Sequence, residues 1–282
     1  MNTENKCTKF RLKLFVGHAL IFLSPLAVFA NSGDDLMNEL SGGGRGSKSS
    51  SSSELVAVSS GSGFFISENG YIVTNHHVVD GCDAVGFRDS ENGVSSAEII
   101  ASDPSLDLAV LKANNTYVSY LTIYPSEPDL AADVYVAGFP WGDDLGTSLK
   151  VTKGVVSSLR GLDDNESRMQ IDAALQKGNS GGPVVLADGS VTGVAVAKVK
   201  EEYGMEEHGE LPQNINFAVK SRALSQYLKS LAVRYYSSNA KQKDNRKLGD
   251  LLSKSTLFLS CFVLSERIEV HRRQHDVFDR YK

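Results

Sequence analysis

The chain of 282 residues contains only three cysteines and seven prolines. Three cysteines are too few for a fold held together by disulfides. No glycine period and no run of heptads passes through it, which excludes collagen-like and coiled-coil architectures. Basic residues are not in excess: 29 Lys and Arg stand against 34 Asp and Glu, for a formal charge of −5. That balance argues against a nucleic-acid binder held by phosphate contacts, which carries a basic stripe. No apolar run reaches the roughly 20 residues of a membrane-spanning helix. The hydrophobic fraction, 41%, is ordinary for a globular protein and excludes disorder throughout.

The N-terminus reads as an address. Lys6, Lys9, Arg11 and Lys13 precede an apolar run from Leu14 to Ala30, which is interrupted by His18 and Pro25. It ends in Val28-Phe29-Ala30, with small residues three before and directly before a cut after Ala30. This is the pattern of a cleaved export signal over 1–30, the alternative being an uncleaved anchor. Cleavage removes four basic residues and Glu4, a net +3, so the −5 of the whole chain becomes −8. Cys82 and Cys261 remain. They can pair in an oxidising compartment, but nothing in the sequence brings them together. Residues 31–54 form a Ser/Gly-rich linker, with SGGGRGSKSSSSS at 41–53.

From residue 55 the texture changes. Short β-branched and apolar runs alternate with turn residues: Gly63–Ile66, Tyr71–Thr74, Ala97–Ala101, Leu108–Leu111, Val134–Ala137, Val151–Val156, Met169–Ile171, Pro183–Leu186, Val191–Val199 and Ile215–Val219. Glu68-Asn69-Gly70 and Ala187-Asp188-Gly189 are among the turns between them. Many short strands at near-even spacing predict an all-β domain, long enough here for two small barrels packed together. Helical spacing first appears over Lys220–Val233, where Ala223, Leu224, Tyr227, Leu228 and Leu231 share a face. These readings set the domain at 55–233. The extension, 234–282, has no assigned role; its apolar part, Leu251–Leu264, is expected as a docked amphipathic helix or a disordered end.

Three segments carry chemistry. Gly178-Asn179-Ser180-Gly181-Gly182-Pro183 offers a serine between glycines that let backbone N–H groups turn inward and a substrate backbone come close. A bare Gly-rich hairpin is the plain alternative. Tyr71–Val79 ends a strand with His76-His77, and histidine suits proton transfer near neutrality. A metal pair is disfavoured, because successive strand residues face opposite ways. Asp107, just before an apolar run, is a carboxylate in need of a buried partner such as a histidine N–H. Asp103, before Pro104, fits a turn cap better. The order His, Asp, Ser, with the first two in the first half of the β region and the third in the second, is that of the chymotrypsin-type double barrel. Gly178–Gly182 also fits the bare Gly-x-Ser-x-Gly pattern of α/β-hydrolases, but the order of the three residues and the β texture contradict that fold.

The segments GSGFFISENGYIVTNHHVV, DPSLDLAVLK, VYVAGFPWG, VTKGVVSS, MQIDAALQKGNSGGPVV, VTGVAVA and NINFAVKS resemble the HtrA/Deg group of trypsin-like serine proteases over roughly 55 to 222. The resemblance implies two six-stranded chymotrypsin-type barrels with a short C-terminal helix. It implies His77 rather than His76 as the base, Asp107 as its orienter and Ser180 as nucleophile, with Gly178, Ser180 and Asn179 supplying oxyanion donors. No cofactor or metal is implied, and the expected partners are protein or peptide substrates. The stretches around the substrate pocket include Ala174, Leu175, Val194, Ala195 and Val196 and hold no carboxylate. A Lys or Arg side chain of the substrate would bury its charge unpaired there, so cleavage is expected after small or medium apolar residues. Two departures stand out. Residues 234–282 are too few for the PDZ domain of many relatives. Residues 31–53 lack the aromatics of the family's trimer segment, which leaves the oligomeric state open. The second function in view is a non-cleaving, chaperone-like binder on a protease scaffold.

Overall fold

The computed structural model describes residues 54–90, 93–115, 117, 119–142, 146–197, 214–238 and 243–273. The expected signal segment and most of the linker lie outside them. Twelve strands form two closed antiparallel barrels. The first contains β1 (Leu55–Phe65), β2 (Tyr71–Thr74), β3 (Ala84–Asp89), β4 (Gly93–Asp103), β5 (Leu108–Ala113) and β12 (Thr256–Leu264). The second contains β6 (Asp133–Gly138), β7 (Lys150–Ser158), β8 (Arg168–Ile171), β9 (Pro183–Val185), β10 (Val191–Val196) and β11 (Asn216–Lys220). A one-turn helix α1 (His76–Val79) follows β2, helix α2 (Ser221–Ser230) follows β11, and α3 (Asn245–Ser255) leads directly into β12.

Three apolar clusters explain why the barrels close. One fills the first barrel with Phe65, Ile72, Val85, Phe87, Leu111, Leu257 and Leu259. A second fills the other barrel with Val134, Met169, Ile171, Leu175, Val184, Ala195 and Ala218. The third is the seam between them: Phe64, Val73, Leu108 and Val110 meet Ala137, Val185, Val194, Val196 and Val219, with Leu224 and Leu228 of α2 and Leu248 and Leu252 of α3. Period-two alternation makes this possible, since successive strand residues serve opposite faces. Val194 and Val196 face the seam while Ala195, between them, faces the barrel interior.

The extension departs from expectation. Only the first part of its apolar stretch, Leu251–Ser255, belongs to a docked helix as expected; the rest is neither helix nor a loose end. Helix α3 stops at Ser255, and Thr256–Leu264 continues as a strand between β1 and β3. The register runs from Leu55 opposite Leu264 to Phe64 opposite Thr256, and on the other side from Ala84 opposite Phe262 to Arg88 opposite Phe258. The domain therefore does not end at 233: its first barrel takes its sixth strand from the far end of the chain.

Cys82 and Cys261 form a disulfide, with Cα atoms 5.4 Å apart and a sequence separation of 179. It fastens the loop after α1 to β12 and so ties the extension to the segment bearing His77. Closing so long a loop removes much freedom from the unfolded chain. Reduction is expected to lower unfolding free energy by about 2–5 kcal/mol, read as a shift of the urea midpoint with dithiothreitol. An unchanged midpoint after verified reduction refutes this.

Candidate functional site

The site lies where the first barrel's β1–β2 end meets the second barrel's 176–183 loop. Each histidine of α1 takes its own direction. His77 Nδ1 lies 2.9 Å from both carboxylate oxygens of Asp107, and its backbone N–H donates to Asp107 Oδ1 at 3.1 Å. His76 turns away, with Nδ1 2.6 Å from Ser102 Oγ and Nε2 3.8 Å from Asp80. Adjacent residues on a helical turn point about 100° apart, so one of the pair faces Asp107 and the other cannot.

Asp107 is held as firmly as the histidine it holds. Its backbone sits in the left-handed region at φ 57°, a conformation that costs energy in a non-glycine residue. The Asn75 side-chain amide donates to its carbonyl at 2.8 Å. The Asp107 carboxyl is buried, which on its own raises its pKa. The hydrogen bonds and charge of His77, with the more distant Arg168, outweigh that and hold it below the ordinary carboxylate value. It is therefore ionised at neutral pH and positioned to stabilise a positive imidazole. Asp103 takes the role expected of it: its carboxylate accepts the N–H groups of Ser105 and Leu106 and the Ser105 hydroxyl, closing a turn.

Ser180 is almost buried, at 6% exposure. Its carbonyl accepts the Ser62 N–H at 2.8 Å, which docks the serine loop on β1, one strand away from the turn bearing His77. Its Oγ accepts the Ala197 N–H at 3.2 Å, which leaves the hydroxyl's own proton available for donation. Gly178 and Gly181 adopt φ +93° and +82°. A side chain on the first would run into the Phe139 carbonyl, and one on the second into the Ser62 carbonyl and the Thr74 hydroxyl. Glycine is required at both for conformation and for space. The Asn179 N–H donates to the Gln176 carbonyl at 3.0 Å, so that donor is already committed within the loop. Among the described residues, the N–H groups of Gly178 and Ser180 donate to no other backbone carbonyl outside regular elements.

The five residues expected around the substrate pocket do not share one face. Leu175 and Ala195 lie in the interior of the second barrel, Val194 and Val196 in the seam, and Ala174 is exposed, with its carbonyl accepting the Thr152 hydroxyl at 3.0 Å. Strand alternation along β10 separates Ala195 from Val194 and Val196. The nearest carboxylate in sequence, Asp172, accepts the Val155 N–H at 2.6 Å and is thereby tied to β7. Three residues that sequence reasoning passed over also belong to this region: Ser62, Asn75 and Trp141. The glycines flanking Ser62 were the available signal. A side chain at Gly61 would meet Val78 and the Ser180 carbonyl, which marks a close crossing of backbones.

A family model described as a trypsin-like peptidase domain matches residues 61–194. The serine protease Do-like HtrA of Bacillus subtilis is 37% identical over 173 residues, which cover 56% of this chain and 37% of that protein. A probable periplasmic serine endoprotease, DegP-like, of Chlamydia muridarum is 38% identical over 149 residues, covering 51% of this chain and 29% of that one. The chain thus spans about a third of the length of these curated relatives. Among solved structures, the serine endoprotease from Yersinia pestis superposes with a TM-score of 0.51 at 30% identity, covering 61% of this chain and 57% of that one. The two six-stranded barrels are those of the chymotrypsin-like fold. Residues 61–194 thus match a trypsin-like peptidase domain, and the chain is homologous to the DegP and HtrA serine proteases over about half of its length.

Proposed function

We propose that the protein is an exported serine endopeptidase that cleaves through an acyl-enzyme, after small or medium apolar residues. The observation that carries this reading is the pairing of His77 Nδ1 with both Asp107 oxygens, beside a serine loop docked on the same barrel end. That pairing fixes the proton on Nδ1 and turns Nε2 into the basic nitrogen. Ser180 Oγ attacks the substrate carbonyl and loses its proton to His77. The imidazolium, stabilised by Asp107, returns the proton to the leaving amine. The N–H groups of Gly178 and Ser180 stabilise the negative oxygen of the intermediate. Water then attacks the acyl-enzyme by the reverse proton path, releasing the second product and restoring Ser180.

The apolar preference rests on the missing carboxylate. Ala173–Gln176 and Val194–Ala197 contain none, and Asp172 is bound to β7. Burying an unpaired ammonium or guanidinium is costly. Export rests on the basic start and apolar run of 1–30 together with the periplasmic name of a relative. Incubation of the chain from residue 31 with unfolded β-casein tests the reading, with cut sites identified by mass spectrometry and a fluorophosphonate probe added in parallel. Cuts after Ala, Val or Leu are expected, together with labelling of Ser180. Cuts after Lys or Arg overturn the pocket assignment. Intact casein with no labelling between pH 5 and 9 favours the binding-protein alternative.

A further inference from the structure

We infer that Ser62 is a positioning residue that sets the peptide planes of the oxyanion loop. The inference rests on the endopeptidase reading above and adds to it a residue on the opposite barrel. Ser62 is fully buried in β1, and each of its polar groups is spent on the site. Its N–H donates to the Ser180 carbonyl at 2.8 Å. Its hydroxyl donates to the Gly178 carbonyl at 2.6 Å and accepts the Phe139 N–H at 3.0 Å. Its own carbonyl accepts the Thr74 hydroxyl at 2.7 Å. One side chain thus joins the first barrel to the end of β6 and to the loop ahead of Ser180.

The consequence follows from peptide geometry. In a trans peptide the C=O and N–H point opposite ways, so fixing one fixes the other. The Ser62 hydroxyl holds the Gly178 carbonyl, which turns the Asn179 N–H the other way, onto Gln176. The plane before it has its own clamp: the Trp141 N–H donates to the Lys177 carbonyl at 2.7 Å, so the Gly178 N–H is turned away from Trp141. Trp141 holds that position at φ 59° and is followed by Gly142 at φ 54°. Phe139, bonded to Ser62, starts the same turn, and its carbonyl accepts the Gly142 N–H at 3.2 Å. Ser62 therefore touches both clamps, directly at Gly178 and through Phe139 at Trp141. Gly178 has φ +93°, a glycine-only region with alternative orientations close at hand. Without the hydroxyl, residue 62 holds neither the Gly178 carbonyl, which sets the plane after Gly178, nor the Phe139 N–H at the start of the turn that presents Trp141 to the Lys177 carbonyl, the bond that sets the plane bearing the Gly178 N–H.

Ser62→Ala removes the hydroxyl with little change of volume. Loss of one oxyanion donor costs about 10²–10³ in rate. The variant is expected to lose about 30–300-fold in kcat on a peptide substrate, with KM within about threefold. Affinity for a peptide aldehyde, which forms an oxyanion on Ser180, should fall by a similar factor. Affinity for the matching non-reactive peptide should hold. The Asn179 amide should exchange with solvent at least about tenfold faster, while Val194 and Val219 in the second barrel keep their protection. Ser62→Cys, a weaker donor of similar shape, should recover part of the rate. A merely structural role would lower stability and the concentration of active enzyme without separating aldehyde from peptide binding. Equal aldehyde affinity and unchanged Asn179 exchange in Ser62→Ala overturn the inference. If the wild-type chain itself neither cleaves nor labels, the endopeptidase reading fails. The clamp is then judged on Asn179 exchange alone, where faster exchange supports it and unchanged exchange refutes it.

Discussion

Ser180→Ala is expected to lower turnover of a peptide substrate by about 10⁶-fold while leaving the unfolding midpoint nearly unchanged. The size follows from the division of labour at the site. In the proposed mechanism the hydroxyl forms the bond to substrate, so its removal also idles His77 and Asp107, whose effects are realised only through it. Asp107→Asn should cost less, about 10⁴-fold, because serine and base survive while the imidazole loses the carboxylate that holds its tautomer and supports its charge. The structural cost of Ser180→Ala is small. Among the described residues, Oγ accepts the Ala197 N–H at 3.2 Å, and a neutral hydrogen bond contributes on the order of 1 kcal/mol. Initial rates on an apolar peptide, read beside urea unfolding of each variant, check both numbers. A Ser180→Ala chain within tenfold of wild type would overturn the mechanism, whatever its stability.

Stopping the chain at Ser238, which removes α3 and β12, is expected to abolish the fold of the first barrel. Five large side chains of β12 are buried: Leu257, Phe258, Leu259, Phe262 and Val263. At about 1.5–3 kcal/mol each they contribute roughly 8–15 kcal/mol, comparable with the whole stability of an ordinary domain, about 5–15 kcal/mol. The truncation also opens β1 and β3 along their full paired lengths, creating two bare edges prone to aggregation. It removes Leu248 and Leu252 from the seam and leaves Cys82 without its partner. The shortened chain should be insoluble, or show no cooperative thermal transition by circular dichroism. It should not bind the fluorophosphonate probe. A truncated chain that unfolds cooperatively near the wild-type temperature refutes this, and with it the view that the extension is a structural strand rather than a removable regulator.

The sequence is legible where a local signal is unambiguous. Tyr71–Thr74 is a short apolar, β-branched run that follows the turn Glu68-Asn69-Gly70, and the strand observed there has those bounds. The helix expected from Lys220 onward is present as Ser221–Ser230, its apolar stripe packed into the seam. Thr256–Leu264 shows where a local signal fails. A short apolar run buried on both sides has no period to distinguish strand from helix. Its Thr, Phe and Val content favours a strand, but its partners lie 170 to 209 residues earlier in the chain, and no local pattern names them. The Cys82–Cys261 bond was unreadable for the same reason: pairing depends on a register across the barrel. Ala84–Asp89 carries Val85 and Phe87 inward on alternate positions, but Arg88 and a glycine between them hide it. Ser62 was hidden for a different reason. In sequence it is a small polar residue between glycines, and only the crossing of β1 with the serine loop gives its hydroxyl a task.

The placement of β12 sets an order in time as well as in space. A chain threaded from its N-terminus delivers β1 to β5 first, yet their barrel has a gap between β1 and β3 until Thr256–Leu264 arrives. Strands β6 to β11 are all present before that point and need nothing further from the sequence to close their own barrel. Completion therefore runs opposite to synthesis, and the half that carries His77 and Asp107 is the last to be sealed. Pairings of such long sequence separation form slowly, and until they do the nascent molecule has a serine loop without a finished wall to dock on. On the endopeptidase reading, the site is incomplete until Thr256–Leu264 has been made and paired.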